Sequence, residues 1–126
     1  MESRDAGQPS KPEVDLEILP AWGAVVALRG EHDLSTDAEL GRAFARALRH
    51  ARVLVDLSEC EFIDSTIIKT LIAAHTQQLG SGGRLELVIP PEARQVERLA
   101  HLVRLDQFMP IHKSRETGIA HLQAEE

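Results

Sequence analysis

The residues best placed to do chemistry are Asp64, Ser65 and Thr66. They put two hydroxyls behind a carboxylate where the dense apolar run from Val53 gives way to a helical pattern. A hydroxyl at the start of a helix sits among unpaired backbone N–H groups at the positive end of the helix dipole, surroundings that favour an anion. Such a group is suited to being phosphorylated or touched by a partner, and poorly equipped to attack a substrate. No Gly-x-Ser-x-Gly elbow surrounds Ser65, so the strained turn that exposes a nucleophile is missing. His75 lies further along the same predicted helix, about 15 Å away at the helical rise per residue. That leaves His32, with Asp33, as the only base for a hydrolase, and the chain reads as not an enzyme. Taken alone, Ser65 is also an ordinary helix N-cap and Asp33 an ordinary turn residue.

Other chemistries find less support. None of the six histidines pairs at three- or four-residue spacing on one helix, and Cys60 is the only cysteine, so no metal set is expected. Cys60 lies between Glu59 and Glu61, neighbours that disfavour a thiolate. Gly80-Ser81-Gly82-Gly83 follows a helix instead of opening one, which makes it a helix stop and not a phosphate cradle. No cofactor is expected.

The elements that must position Ser65 follow from hydrophobic period. Val14, Leu16 and Ile18 alternate with acidic residues and predict a strand with one exposed face. Trp22–Arg29 predicts a second strand, paired with the first in a hairpin-like unit. Thr36 and Glu39 have the spacing of a capping box, ahead of a helix marked by Leu40, Ala43, Phe44, Ala47 and Leu48, with Arg42, Arg46 and Arg49 on its wet side. Val53–Leu57 reads as a central parallel strand covered on both faces. Ser65–Leu79 is the next helix, its stripe formed by Ile68, Leu71, Ile72, His75 and Leu79. Arg84–Ile89 is a strand, and Pro90-Pro91 opens a helix carrying Val96, Leu99, Ala100 and Val103. Gln107–Ile111 predicts a short edge strand. Ser114 caps a last helix to about Gln123, which Gly118 weakens by about 1 kcal/mol relative to alanine.

The predicted order is β-β-α-β-α-β-α-β-α: an α/β fold with a mixed, mostly parallel sheet of four to five strands and about four helices. Functional surfaces of such sheets gather at the carboxyl ends of the strands. There the loops Gly30–Thr36 and Ser58–Thr66 are expected side by side.

Composition bounds the rest. At 126 residues the chain fits a single domain, assigned to residues 13–124 behind a flexible polar tail over residues 1–12. Only 3% of residues are aromatic, so Val, Leu, Ile and Ala must build the core. The net charge of −6 argues against nucleic acid, whose backbone demands a concentrated basic surface. One cysteine excludes an intrachain disulfide and suggests a reducing compartment. No apolar stretch approaches the roughly 20 residues of a membrane span, and the first residues lack a signal peptide's apolar region. A soluble cytoplasmic protein is expected, with no membrane insertion.

Two segments resemble a known family. Asp56–Thr66, DLSECEFIDST, is similar to the central signature of STAS domains, the module of anti-sigma factor antagonists, in which Asp-Leu-Ser leads through a short linker to Asp-Ser-Ser or Asp-Ser-Thr and then Gly-Leu. Leu28–Leu40, LRGEHDLSTDAEL, resembles the family's Gly-Glu-Leu-Asp loop and following helix, and Phe108–Leu122 more weakly resembles its last strand and helix. The resemblance implies a bacterial partner-switching regulator. Its unphosphorylated form would bind a GHKL-type serine kinase that is also an anti-sigma factor, and phosphorylation would release it until a serine phosphatase resets the switch. Carried over, the phosphoacceptor is Ser65, with Thr66 as fallback, and the partner surface is Asp33, Ser35, Asp64, Ser65, Thr66, Ile67 and Lys69. The alternative is a STAS scaffold that is never phosphorylated, as in a stress-signalling complex or a lipid-transport ATPase. Ile67-Ile68 stands where the signature has Gly-Leu. That places bulk where glycine would allow close backbone approach.

Overall fold

The computed structural model describes residues 11–124. The first ten residues of the expected tail lie outside that range. Five strands form one sheet whose spatial order is the order of the chain: β1 (Glu13–Leu19), β2 (Gly23–His32), β3 (Arg52–Ile63), β4 (Arg84–Val88) and β5 (Ile111–His112). β1 and β2 are antiparallel, and every later pairing is parallel. The crossovers are α1 (Asp37–Ala47), α2 (Ser65–Gly80) and α3 (Arg94–Leu102), and α4 (Arg115–Gln123) closes the chain. The predicted α/β class and element order hold. No helix among the described residues is long and apolar enough to cross a membrane.

The two-sided burial read from VLVDL is explained by the layers. Val53, Val55 and Leu57 point into the larger core with Leu40 and Phe44 of α1, Ile67 and Leu71 of α2, and Val96 of α3. Leu54 points the other way, into a small cluster with Trp22, Val25, Val88 and Leu122 of α4. Burying a side chain such as Leu57 completely stabilises the fold by about 1.5–3 kcal/mol, so the three-helix face dominates cohesion.

The α4 face is thinner and carries two buried carboxylates, Asp56 and Glu86. Each is met by a side chain of α4. Arg115 Nε donates to Asp56 Oδ2 at 2.8 Å, and His121 Nδ1 lies 2.8 Å from Glu86 Oε1. Asp56 also accepts from Ser58 N at 2.9 Å and Ser58 Oγ at 2.5 Å. Burial pushes the Asp56 carboxyl up, but the hydrogen bonds from Ser58 and Arg115 outweigh it and hold the group below the usual carboxylate range. The Asp-Leu-Ser segment thus serves to fasten the last helix.

Several local expectations are corrected. β3 does not stop at Leu57 but runs to Ile63, because β2 continues to pair with it through Arg29–Glu59 and His32–Ile63 after irregularities in register. Gly30, at φ 81°, occupies one of these irregular steps, a conformation that glycine adopts without a Cβ penalty. Thr36 makes no side-chain cap for α1; the capping box lies one turn earlier, between Asp33 and Thr36 around a 3-10 turn at Leu34–Thr36. The buried stripe of α2 is Ile67, Ile68, Leu71, Ala74 and Gln78, with Leu79 exposed. Gln78 is buried because its amide donates to His50 O at 2.6 Å and Ala51 O at 3.2 Å. α3 begins at Arg94, not at the prolines. The edge strand is Ile111–His112, after a 3-10 turn at Leu105–Gln107, since only Ile111 and His112 reach β4.

Gly118 is not simply a weak point in α4. A Cβ there would sit 2.8 Å from Leu54 Cδ1, so glycine lets the helix lie close on the sheet.

Candidate functional site

The parallel pairing of β2 with β3 ends at His32–Ile63, which brings the loop after each strand to one corner of the sheet. Asp33 leaves β2 and Asp64 leaves β3, so the two carboxylates predicted from separate motifs are brought to one corner. A further tie joins the helices behind them, where Thr70 Oγ1 of α2 donates to Asp37 Oδ1 of α1.

Both aspartates have local structural work. Asp33 Oδ1 accepts from Ser35 N at 2.8 Å and Ser35 Oγ at 2.6 Å. The Ser35 hydroxyl, then its N–H, hold the exposed Asp33 carboxyl below the usual range. Asp64 is the N-cap of α2 and accepts from Ile67 N at 3.1 Å. The cap expected of Ser65 therefore belongs to Asp64. Ser65 is the first helical residue, exposed, and its hydroxyl has no hydrogen-bond partner among the described residues. Thr66 is half-buried, and Lys69, one turn beyond Ser65, is exposed.

Ile67 requires a correction. It is 0% exposed and part of the main core, so its side chain cannot be a partner contact. The third residue of α2 points inward, into the main core.

The hydrolase alternative loses its base. His32 is buried, and its Nε2–H is shared between Arg29 O at 2.9 Å and Glu13 O at 3.1 Å. Nδ1 lies 2.9 Å from Thr36 Oγ1, whose hydroxyl also donates to Asp33 O at 3.2 Å. Both nitrogens are spent on tying β1, β2 and the 3-10 turn together. His75 is half-buried, with Nδ1 3.3 Å from Leu85 O. Burial, with Glu61 adding to it, pushes the Cys60 thiol up to about 11, far from a reactive thiolate.

Sequence reasoning missed three contributors to this corner. β3 outruns β4, leaving Ile63 without a strand partner on that side, and Gln95 of α3 fills the gap. Its Oε1 accepts from Ile63 N at 3.0 Å and its Nε2 donates to Ile63 O at 2.9 Å. A side-chain amide thus imitates a strand peptide and fixes the residue before Asp64. Leu34 and Phe62 are exposed at 72% and 37%, apolar surface flanking the acidic loops. No spacing rule marks a lone glutamine. The exposure of Phe62 depends on β3 running past its apolar core.

The arrangement supplies an exposed hydroxyl with no hydrogen-bond partner among the described residues, at a helix start capped by Asp64 and at the corner where Asp33 leaves β2. Comparison with known proteins bears on the fold. A crystal structure of an anti-sigma factor antagonist from Mycobacterium paratuberculosis superimposes with a TM-score of 0.79 at 24% identity, over 90% of this chain and 95% of that one. The anti-sigma factor antagonist SpoIIAA in its unphosphorylated form gives 0.74 at 17% identity, over 90% and 99%. Phosphorylated SpoIIAA, a Bacillus cell fate determinant, gives 0.67 at 17%, over 87% and 99%. No curated protein matches the sequence significantly. The family profile described as "Mlab, STAS domain" matches residues 21–111, a span that holds β2 through the first residue of β5 and both motif loops. The chain belongs to the STAS domain family.

Proposed function

We propose that the protein is an anti-sigma factor antagonist that works by partner switching. Unphosphorylated, it binds a GHKL-type serine kinase that doubles as an anti-sigma factor; phosphorylation of Ser65 breaks that complex, and a serine phosphatase restores it. The observation that carries this reading is the Ser65 hydroxyl itself, exposed at the start of α2 and free of hydrogen bonds among the described residues.

The physics of a switch at this position is coherent. A phosphoserine adds about −1.5 to −2 charges at neutral pH. At the first position of α2 it meets the helix dipole and free N–H groups, with Lys69 one turn along the same helix, so the fold tolerates it. A partner covering the corner must instead bury that charge beside Asp64 and Asp33. Like-charge juxtaposition at an interface costs several kcal/mol, and about 3 kcal/mol lowers affinity more than a hundredfold. Leu34 and Phe62 supply apolar anchors for the unmodified complex.

Ile67 was the ground for the alternative, an unphosphorylated scaffold. Its side chain is buried in the main core, so it adds no bulk to the surface that a partner would meet. The test is incubation with candidate GHKL-type kinases and ATP, followed by intact-mass and binding measurements. Wild type should gain one phosphate and lose affinity, Ser65→Ala should gain none, and Ser65→Asp should bind weakly from the start. Equal binding of Ser65→Asp and wild type to a kinase that does recognise the protein would overturn the switch.

A further inference from the structure

On the sheet face opposite α2, three side chains from three elements converge. Glu86 comes from β4, His112 from β5 and His121 from α4, and their ligating atoms all lie within 4.8 Å of one another. We propose that they form a binding site for a divalent transition-metal ion of the zinc type, and that the bound ion fastens α4 to the sheet.

The geometry is compatible with an ion after a small adjustment. His112 Nε2 lies 2.7 Å and His121 Nδ1 2.8 Å from the same oxygen, Glu86 Oε1. The other oxygen, Oε2, is occupied by Arg84 Nη2 at 2.5 Å. With Oε2 taken by the guanidinium, Oε1 is the oxygen that both imidazoles face. A carboxylate oxygen and two imidazole nitrogens are a three-ligand set for tetrahedral zinc, with the fourth position left to water. Bonds of about 2.0–2.2 Å set neighbouring ligand atoms about 3.3 Å apart. Each O–N pair therefore has to open by roughly half an ångström. His121, with its side chain 52% exposed on the surface of α4, has room to make that adjustment.

The neighbours fit the same role. Arg84 holds Oε2, so Glu86 is oriented to offer Oε1 alone, the kind of outer contact that steadies a metal-bound carboxylate. The guanidinium also tempers the affinity, since Nη2 lies 3.2 Å from His121 Nδ1. Gly118 lets α4 approach until His112 Cδ2 is 3.4 Å from where a Cβ would be, and His121 follows one turn later. Two nitrogens and one oxygen select zinc, cobalt or nickel over calcium and magnesium, which prefer oxygen-only shells.

The site went unrecognised in the sequence because its members lie 26 and 35 residues from Glu86, with no local spacing between them. The three elements meet only when α4 docks. Bound metal would join β4, β5 and α4 at one point, where the apolar cover is thin.

The experiment uses untagged full-length protein. Zn²⁺ is titrated against a chromophoric chelator, and Co²⁺ binding is followed by visible absorption. The expected result is one Zn²⁺ per chain, the intense absorption of four-coordinate Co²⁺, and a higher melting temperature with Zn²⁺. His121→Ala, which removes a ligand outside the core, should weaken Zn²⁺ binding by about tenfold or more. It should also abolish the thermal shift while the metal-free variant remains folded by circular dichroism. His112→Gln should do the same. The proposal is overturned if wild type binds no Zn²⁺ at millimolar concentration. It is equally overturned if both variants bind as tightly as wild type with the same Co²⁺ spectrum.

Discussion

Ile67→Gly restores the residue that the family signature carries, and the structure predicts a loss of stability from doing so. Ile67 is fully buried against the main core. Truncating a buried isoleucine to alanine costs about 2–5 kcal/mol, and replacing alanine by glycine within a helix adds up to about 1 kcal/mol. The sum, about 2–6 kcal/mol, is a large share of the roughly 5–15 kcal/mol that holds an ordinary domain together. With a urea slope of about 2 kcal/mol per molar, the unfolding midpoint should fall by about 1–3 M. Ile67→Val, which removes one methyl group, should cost only about 0.5–1.5 kcal/mol. Equilibrium urea unfolding followed by circular dichroism measures both. The N–H of residue 67 still reaches Asp64 in either variant, so the helix cap is a constant of the comparison. A glycine variant whose midpoint lay within about 0.5 M of wild type would refute the reasoning, because the side chain would then not be filling the core.

Gly118→Ala should be destabilising although alanine is the better helix former. A Cβ at 2.8 Å from Leu54 Cδ1 overpacks the α4 face, at about 1–3 kcal/mol, against about 1 kcal/mol of helix propensity gained; a raised melting temperature would contradict the close approach. The stabilising share of Asp56 should depend on pH in one direction. Because its folded value lies below the ordinary one, its contribution is complete above the unfolded pKa of about 3.9. That contribution is lost as pH falls through the lower folded value. Asp56→Asn should therefore flatten the decline of stability below about pH 4, and an unchanged pH profile would mean that Asp56 is not held by Ser58 and Arg115.

The sequence was most legible where one physical cause dominates. Val53–Leu57 is apolar on both faces apart from Asp56, and Ser114 has no rival as cap for α4, so the central strand and the cap were both legible although β3 runs on to Ile63. At Asp64-Ser65, two residues of equal capping preference stand side by side, and only the accepted N–H of Ile67 decides between them. The same holds for Asp33 and Thr36, where the box formed one turn before the spacing rule placed it. The α2 stripe was misread because a buried glutamine breaks the apolar pattern, and its burial depends on carbonyls at His50 and Ala51 that no local pattern predicts. The two carboxylates of the α4 face were unreadable for a related reason. Burial of a charge is licensed by partners that are distant in sequence, such as Arg115 at 59 residues from Asp56.

The sheet follows the chain, β1 to β5 without interleaving, and this has a kinetic consequence. Each new strand adds beside the one made just before it, so the sheet can grow by accretion as the chain lengthens, with few loops to close over long distances. The exception is α4, which reaches back across the sheet to Leu54 and Asp56 of β3 and Glu86 of β4. Until it arrives, two carboxylates in the middle of the sheet stand in water, still charged and hydrated. The pairing with Arg115 and His121 that offsets their desolvation is available only once α4 docks.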